Sequence, residues 1–148
     1  MSRSTPLVIL YAEDDQDDVF LFKQGLRPAH VNASVESVPN GQTAIDYLEG
    51  KGDYQDRSAH PFPDLIFVDW RMPAKNGAEF LKWCRESPLC ESLTVLVITG
   101  SNSPRDSEKA LEPGANMVLM KVASPEQMSR QLAEICHAEM NKSAERQK

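Results

Sequence analysis

The chain has 148 residues, with 22 acidic against 16 basic side chains and a net charge of -6. Its length fits one domain with a proper core, and the acidic balance without any basic stripe excludes nucleic acid or an anionic membrane as main partner. The start, Met1-Ser2-Arg3-Ser4-Thr5-Pro6, has no apolar signal-type run, and nothing approaches the ~20 apolar residues of a membrane span, so a cytoplasmic protein is expected. Cys84, Cys90 and Cys136 are odd in number and lack metal or redox spacing, which fits reduced thiols with packing roles.

The elements alternate in type along the chain. An apolar run over about 7–12 predicts a strand, followed by a helix from about Gln16 to Leu26. In that helix Val19, Phe20, Phe22 and Leu26 recur at helical spacing, and Asp17 and Asp18 suit the positive end of the helix dipole. Ser34 to Val38 alternates as a strand with one face partly wet. Pro39-Asn40-Gly41 is turn chemistry, and a short helix from Thr43 to Leu48 stops at Gly50. Lys51 to Pro63 is rich in Gly, Asp, Ser and Pro and reads as a long loop. Leu65-Ile66-Phe67-Val68 forms a strand closed by Asp69, and a helix follows from about Ala78 to Glu86. Thr94 to Ile98 is a continuous apolar run, as expected of a central strand. Pro104 to Leu111 is a weak helix stopped by Glu112-Pro113-Gly114.

Met117 to Met120 is the last strand, expected to be ordinary core. The last helix runs from about Pro125 to Met140, with Met128, Leu132, Ile135 and Cys136 on one face. Asn141 to Lys148 is expected to be a frayed polar tail. Five strands alternating with five helices predict an α/β fold: one doubly wound parallel sheet, a single domain over 1–148 with its core at about 7–140.

Parallel sheets keep their chemistry at the carboxyl edge of the strands. Two apolar strands here end in acid, one in Glu13-Asp14-Asp15 and one in Asp69. If the two are neighbours, three or more carboxylates converge, which requires a proton or a cation. A hard divalent ion such as Mg²⁺ takes carboxylates, waters and phosphate oxygens. A third strand ends in Thr99-Gly100 and a fourth in Lys121, a hydroxyl and an ammonium that could hold phosphoryl oxygens. A carboxylate can itself attack phosphorus and form an acyl phosphate. His30, His60 and His137 are scattered without ligand spacing, no Walker or dinucleotide glycine loop occurs, and Trp70 is expected to border the site.

The set Glu13-Asp14, Asp69 with Met72-Pro73 and Gly77, Thr99-Gly100, Gly114-Ala115 and Lys121 resembles the receiver domain of bacterial two-component response regulators over about 7–140. The resemblance implies a flavodoxin-like fold and phosphotransfer to Asp69 from a histidine kinase or histidine phosphotransfer protein. It assigns Mg²⁺ to Asp14, Asp69 and the backbone carbonyl of Arg71, with Glu13 acting through water, and gives Thr99 and Lys121 the phosphoryl oxygens. It implies a phosphoacceptor switch rather than an enzyme in the ordinary sense, with self-catalysed phosphotransfer and dephosphorylation only. The loop containing Gly50-Lys51-Gly52-Asp53-Tyr54 looks like that of single-domain regulators paired with phytochrome-type kinases.

Two positions depart from the family pattern. Val118 stands where an aromatic is usual, so the usual ring rotation has no counterpart there. Val122 follows the lysine where proline is usual, and a trans bond is expected because a non-proline cis bond costs about 3–4 kcal/mol. With the chain ending soon after the last helix, output through contact with a downstream protein is expected. A homodimer through the helix Ser103 to Leu111, the last strand and the last helix is a further expectation, with Arg105, Asp106, Glu108, Lys109, Glu126 and Arg130 as candidate salt-bridge partners. The alternatives are an interaction module that works without phosphorylation, and a phosphatase of the haloacid dehalogenase type built on Asp15 and Asp17.

Overall fold

The computed structural model describes residues 6–27, 31–72, 74–100, 109, 111–121 and 125–146. In chain order the elements are β1 (Leu7–Ala12), α1 (Gln16–Leu26), β2 (Ala33–Val38), α2 (Gly41–Glu49), a 3-10 turn (Gly52–Tyr54), β3 (Leu65–Asp69), α3 (Gly77–Glu86), β4 (Thr94–Thr99), β5 (Met117–Met120) and α4 (Pro125–Arg146). The expected helix Pro104 to Leu111 lies outside the described residues except for Lys109 and Leu111, both helical. His30, Pro73, Ser101, Arg105, Asp106, Glu108 and Val122 lie outside them as well.

All five strands pair in parallel in the order β2-β1-β3-β4-β5. The apolar runs are continuous because helices cover both faces, and the two-residue period of a strand then divides each run between two cores. Leu10, Ala12, Ile66, Val68, Val95 and Val97 point to one face and pack with Ile45, Leu48, Phe80 and Leu81 of α2 and α3. Leu7, Ile9, Tyr11, Leu65, Phe67, Leu96 and Ile98 point to the other and meet Val19, Phe22 and Leu26 of α1 and Met128, Leu132 and Cys136 of α4. The chain leaves β1 first to one neighbour, β2, and later to the other, β3. The crevice beyond the carboxyl ends of β1 and β3 is therefore the switch point where open α/β sheets bind ligands.

The loop 51–63 is fastened rather than loose. Gly50, at φ 69, closes α2 in the left-handed region that glycine enters without steric cost. The Arg57 guanidinium then donates to the last carbonyls of α2, Tyr47 O at 2.8 Å and Leu48 O at 2.8 Å, and to His60 O at 3.2 Å. The Tyr47 hydroxyl donates to Pro61 O at 2.7 Å, and the Tyr47, Tyr54 and His60 rings pack together.

Three expectations are corrected. Phe20 is 61% exposed, so the buried face of α1 is made by Val19, Phe22, Gly25 and Leu26. Met117 and Met120 are 47% and 44% exposed, because β5 pairs only with β4 among the described residues and its ends face outward. The polar tail is helical as far as Arg146. Just before that tail, buried Glu139 accepts from the Thr94 hydroxyl at 3.0 Å and faces Lys142 at 3.9 Å, tying the helix to β4.

Candidate functional site

The end of β1 places the first acids by backbone geometry. The Glu13 N–H donates to Val38 O at 2.9 Å, which carries the chain across the end of β2. Glu13 then turns inward and is fully buried, while Asp14 is exposed. Asp15 is the N-cap of α1, its carboxylate accepting from the N–H groups of Asp17 at 2.8 Å and Asp18 at 3.4 Å. Asp15 is exposed, and its carboxylate is engaged in this cap.

Asp69 closes β3 and is 6% exposed. The Trp70 N–H reaches Ile98 O on β4 at 3.0 Å, so the chain turns over the sheet edge directly after the acid. The Arg71 N–H donates back to Asp69 Oδ1 at 3.2 Å. Ala74 sits at φ 60, a left-handed conformation that costs a residue with a Cβ about 1–2 kcal/mol. Asn76 then starts α3 with a capping box to Glu79. Thr99 is buried at the end of β4, and its carbonyl accepts from the Lys121 N–H at 2.7 Å, which fixes the residue after β5 beside it.

Lys121 Nζ is the hub of the site. It lies 2.8 Å from Asp18 Oδ2, 2.9 Å from Glu13 Oε1 and 3.3 Å from Asp69 Oδ2. Carboxylate oxygens of Glu13, Asp14 and Asp69 also lie within 4.8 Å of one another, a grouping that can hold a cation. The second oxygen of Glu13, Oε2, is buried and meets no hydrogen-bond donor. Burial above all, and then Asp69 and Asp18, push the Glu13 carboxyl up to about 9, against the pull of Lys121. Burial draws the Lys121 ammonium down, but Asp18, Glu13 and the charge of Asp69 outweigh it and the net shift is upward. Asp18 is held low, chiefly by its hydrogen bond with Glu13, against the upward push of burial, and Lys121 adds to the lowering. One ammonium therefore serves three acids, with a fourth alongside. The donor set fits a hard divalent ion: all oxygen, with one orphaned buried carboxylate oxygen.

Of the residues expected from sequence, Glu13, Asp14, Asp69 and Lys121 come together, and Thr99 meets them through its contact with Lys121. Arg71 joins through its N–H, while its exposed side chain lines a cleft of about 490 Å³ with Asp14, Trp70, Met72, Asn76 and Ala78. Trp70 does border the site and also packs on the core face of α2 and α3. His60 lies 3.6 Å from Glu36 and packs against the Tyr47 and Tyr54 rings, and His137 is exposed on α4. The residue that sequence reasoning missed is Asp18. Its signal was its place three residues after the N-cap, on the side of the first turn that returns toward the strand end.

A parallel five-stranded sheet that gathers acids and a lysine at its switch point defines a class of doubly wound α/β domains with an acidic, cation-ready site. Residues 9–133 match the response regulator receiver domain, and the chain belongs to that family, in which phosphorylation on aspartate is general. It is 29% identical over 116 residues to response regulator Rcp1 of Synechocystis sp., covering 78% of this chain and 77% of that protein. It is 28% identical to the probable methanogenesis regulatory protein FilR2 of Methanothrix harundinacea, covering 91% and 84%. Among solved structures, the phosphorylated cyanobacterial phytochrome response regulator RcpA superposes with a TM-score of 0.77 at 27% identity over 88% of this chain and 91% of that one. The Mn²⁺-bound form of Rcp1 superposes at 0.75 and 27% over 88% and 91%. Its metal bears out the coarser expectation that receivers hold a divalent ion at an acidic site.

Proposed function

We propose that this chain is a single-domain response regulator that accepts a phosphoryl group on Asp69 from a histidine kinase or histidine phosphotransfer protein, and signals by protein contact. The observation that carries the reading is Lys121 Nζ at 3.3 Å from the buried Asp69 carboxylate, among acids that are short of positive charge. Mg²⁺ would be held by Asp14, Asp69 and the Arg71 carbonyl, with Glu13 through water, and when bound it would neutralise charge on the phosphoryl oxygens.

The remaining steps belong to the chain. An Asp69 carboxylate oxygen attacks phosphorus in line, the O–P bond forms as the P–N bond to the donor imidazole breaks, and the electron pair leaves with the nitrogen. Lys121 donates to one phosphoryl oxygen and Thr99 to another, as developing charge requires. Hydrolysis of the acyl phosphate resets the switch, so the chain turns over no substrate beyond its own phosphoryl group. The site of action is the cytoplasm, consistent with the finding that no helix among the described residues is long and apolar enough to cross a membrane. Output runs through a downstream protein or a second copy meeting β5 and α4, which sedimentation with and without phosphodonor separates.

Mass spectrometry after incubation with acetyl phosphate and Mg²⁺ tests the reading. One phosphoryl group is expected on Asp69, none in Asp69→Asn, and little in Asp14→Ala, whose Mg²⁺ response by Trp70 fluorescence should vanish. An unmodified wild-type chain would favour the phosphorylation-independent module.

Arg71 bears on the lifetime of the product. Its exposed side chain lines the cleft beside Asp69, and a guanidinium can bind phosphoryl oxygens bidentately and fill the path of an attacking water. Dephosphorylation is expected to be slow, and Arg71→Ala to accelerate it several-fold at unchanged Mg²⁺ affinity. Slower decay in that variant would show that the cation assists hydrolysis instead.

A further inference from the structure

We infer that Asp18 is a positioning residue for this chemistry, holding the Lys121 ammonium from the first turn of α1; the inference rests on Asp69 being the phosphoacceptor. An ammonium has three N–H donors and no acceptor. Here all three are taken, by Asp18 at 2.8 Å, Glu13 at 2.9 Å and Asp69 at 3.3 Å. The longest arm is the one to the phosphoacceptor, so it is the arm that yields to an arriving phosphoryl oxygen. The two shorter arms keep the nitrogen in place while it does so.

Lysine loses much rotamer freedom when it is fixed, and this one is 30% exposed on a flexible stem. Asp18 imposes that order before the phosphodonor binds. The carboxylate is itself delivered by the capping of α1, since Asp15 accepts from the Asp18 N–H and fixes the backbone that carries it. Asp18 stands outside the group of Glu13, Asp14 and Asp69 whose oxygens can share a cation. Its removal should therefore leave metal binding intact while loosening the lysine, a separation that loss of a metal ligand would not give.

The test is the time course of Asp69 phosphorylation by acetyl phosphate at saturating Mg²⁺, followed by intact mass, with Mg²⁺ half-saturation read from tryptophan fluorescence. Asp18→Ala is expected to lower the limiting rate about tenfold with Mg²⁺ half-saturation within about twofold of wild type. Asp18→Glu, which keeps the charge, should recover most of the loss. In a Lys121→Ala background, Asp18→Ala should cost nothing further, because the partner it positions is gone. A rate in Asp18→Ala equal to or above wild type would overturn the inference, and so would an undiminished loss in the Lys121→Ala background, which would mark a helix defect. If the wild-type chain takes no phosphoryl group, the proposed function fails and this inference falls with it. If only the Asp18 variants disagree, the proposed function stands.

Discussion

Arg85→Ala is expected to lower the stability of the chain by about 3–5 kcal/mol, a large share of the 5–15 kcal/mol typical of a domain. The guanidinium of Arg85 donates to five acceptors. Nε reaches Gly114 O at 2.8 Å, and Nη1 reaches Cys90 O at 3.2 Å, Glu91 O at 3.1 Å and Leu93 O at 2.9 Å. Nη2 reaches Asn116 Oδ1 at 2.7 Å, and Asn116 in turn accepts from the Val95 N–H at 2.8 Å. Gly114 has φ 121, and a Cβ there would meet the Arg85 side chain, so the turn and the arginine fit one another. At about 2–4 °C per kcal/mol for a chain of this size, the melting midpoint should fall by roughly 10 °C. Lysine should not rescue it, since a single ammonium cannot span the fork. A loss below about 1 kcal/mol in urea denaturation would show that water replaces these bonds. Because Gly114 and Asn116 lead into β5, the same variant should also disturb the placing of Lys121.

Glu13→Gln should do the opposite and stabilise the metal-free protein, while weakening its response to Mg²⁺. The folded carboxyl is raised to about 9, above its ordinary value of 4.5, by burial first and by Asp69 and Asp18 next. A raised carboxyl holds its proton more tightly folded than unfolded. Its favourable contribution is therefore present below about pH 4.5 and is lost as pH rises toward 9. Glutamine is neutral throughout and does not suffer that loss. The gap between variant and wild type should open through this window and reach roughly 5 kcal/mol near pH 8. Urea titrations in chelator from pH 5 to 9 measure it directly. Parallel curves would mean that Lys121 already compensates Glu13 in full.

Much of the fold was legible because its signals are local. Leu65 to Val68 and Val95 to Ile98 are continuous apolar runs, which require a strand covered on both faces. Gly50 stops α2 as expected, while Asn40 and Asn76 turn out to be the N-caps that start α2 and α3 slightly earlier than the sequence suggests. The acids, Thr99 and Lys121 were legible because a strand end fixes where its next residue goes. The contributions of Asp18, Arg57 and Arg85 were not, because each depends on a partner that local sequence does not show: a lysine donor for Asp18, backbone and side-chain acceptors for the two arginines. An acid in a first helical turn suits the dipole whether or not a lysine waits opposite. The exposure of Met117 and Met120 was hidden because a four-residue apolar run reads alike in a central strand and at an edge. The last turns of α4 were hidden because Asn141 to Arg146 are polar apart from Ala144 and carry no apolar stripe to mark a helix.

The fastening of 51–63 has a consequence for how the molecule opens. A segment tied to the last carbonyls of α2 by Arg57, and to its buried Tyr47 through Pro61, cannot swing away without exposing them. Opening of the loop and fraying of α2 then become one cooperative event. Amide hydrogens of the 3-10 turn, such as that of Tyr54 bonded to Lys51 O, should exchange with solvent at the pace of the helix rather than that of a surface loop. In Arg57→Ala the two rates should part, and the stretch would become a true linker between α2 and β3.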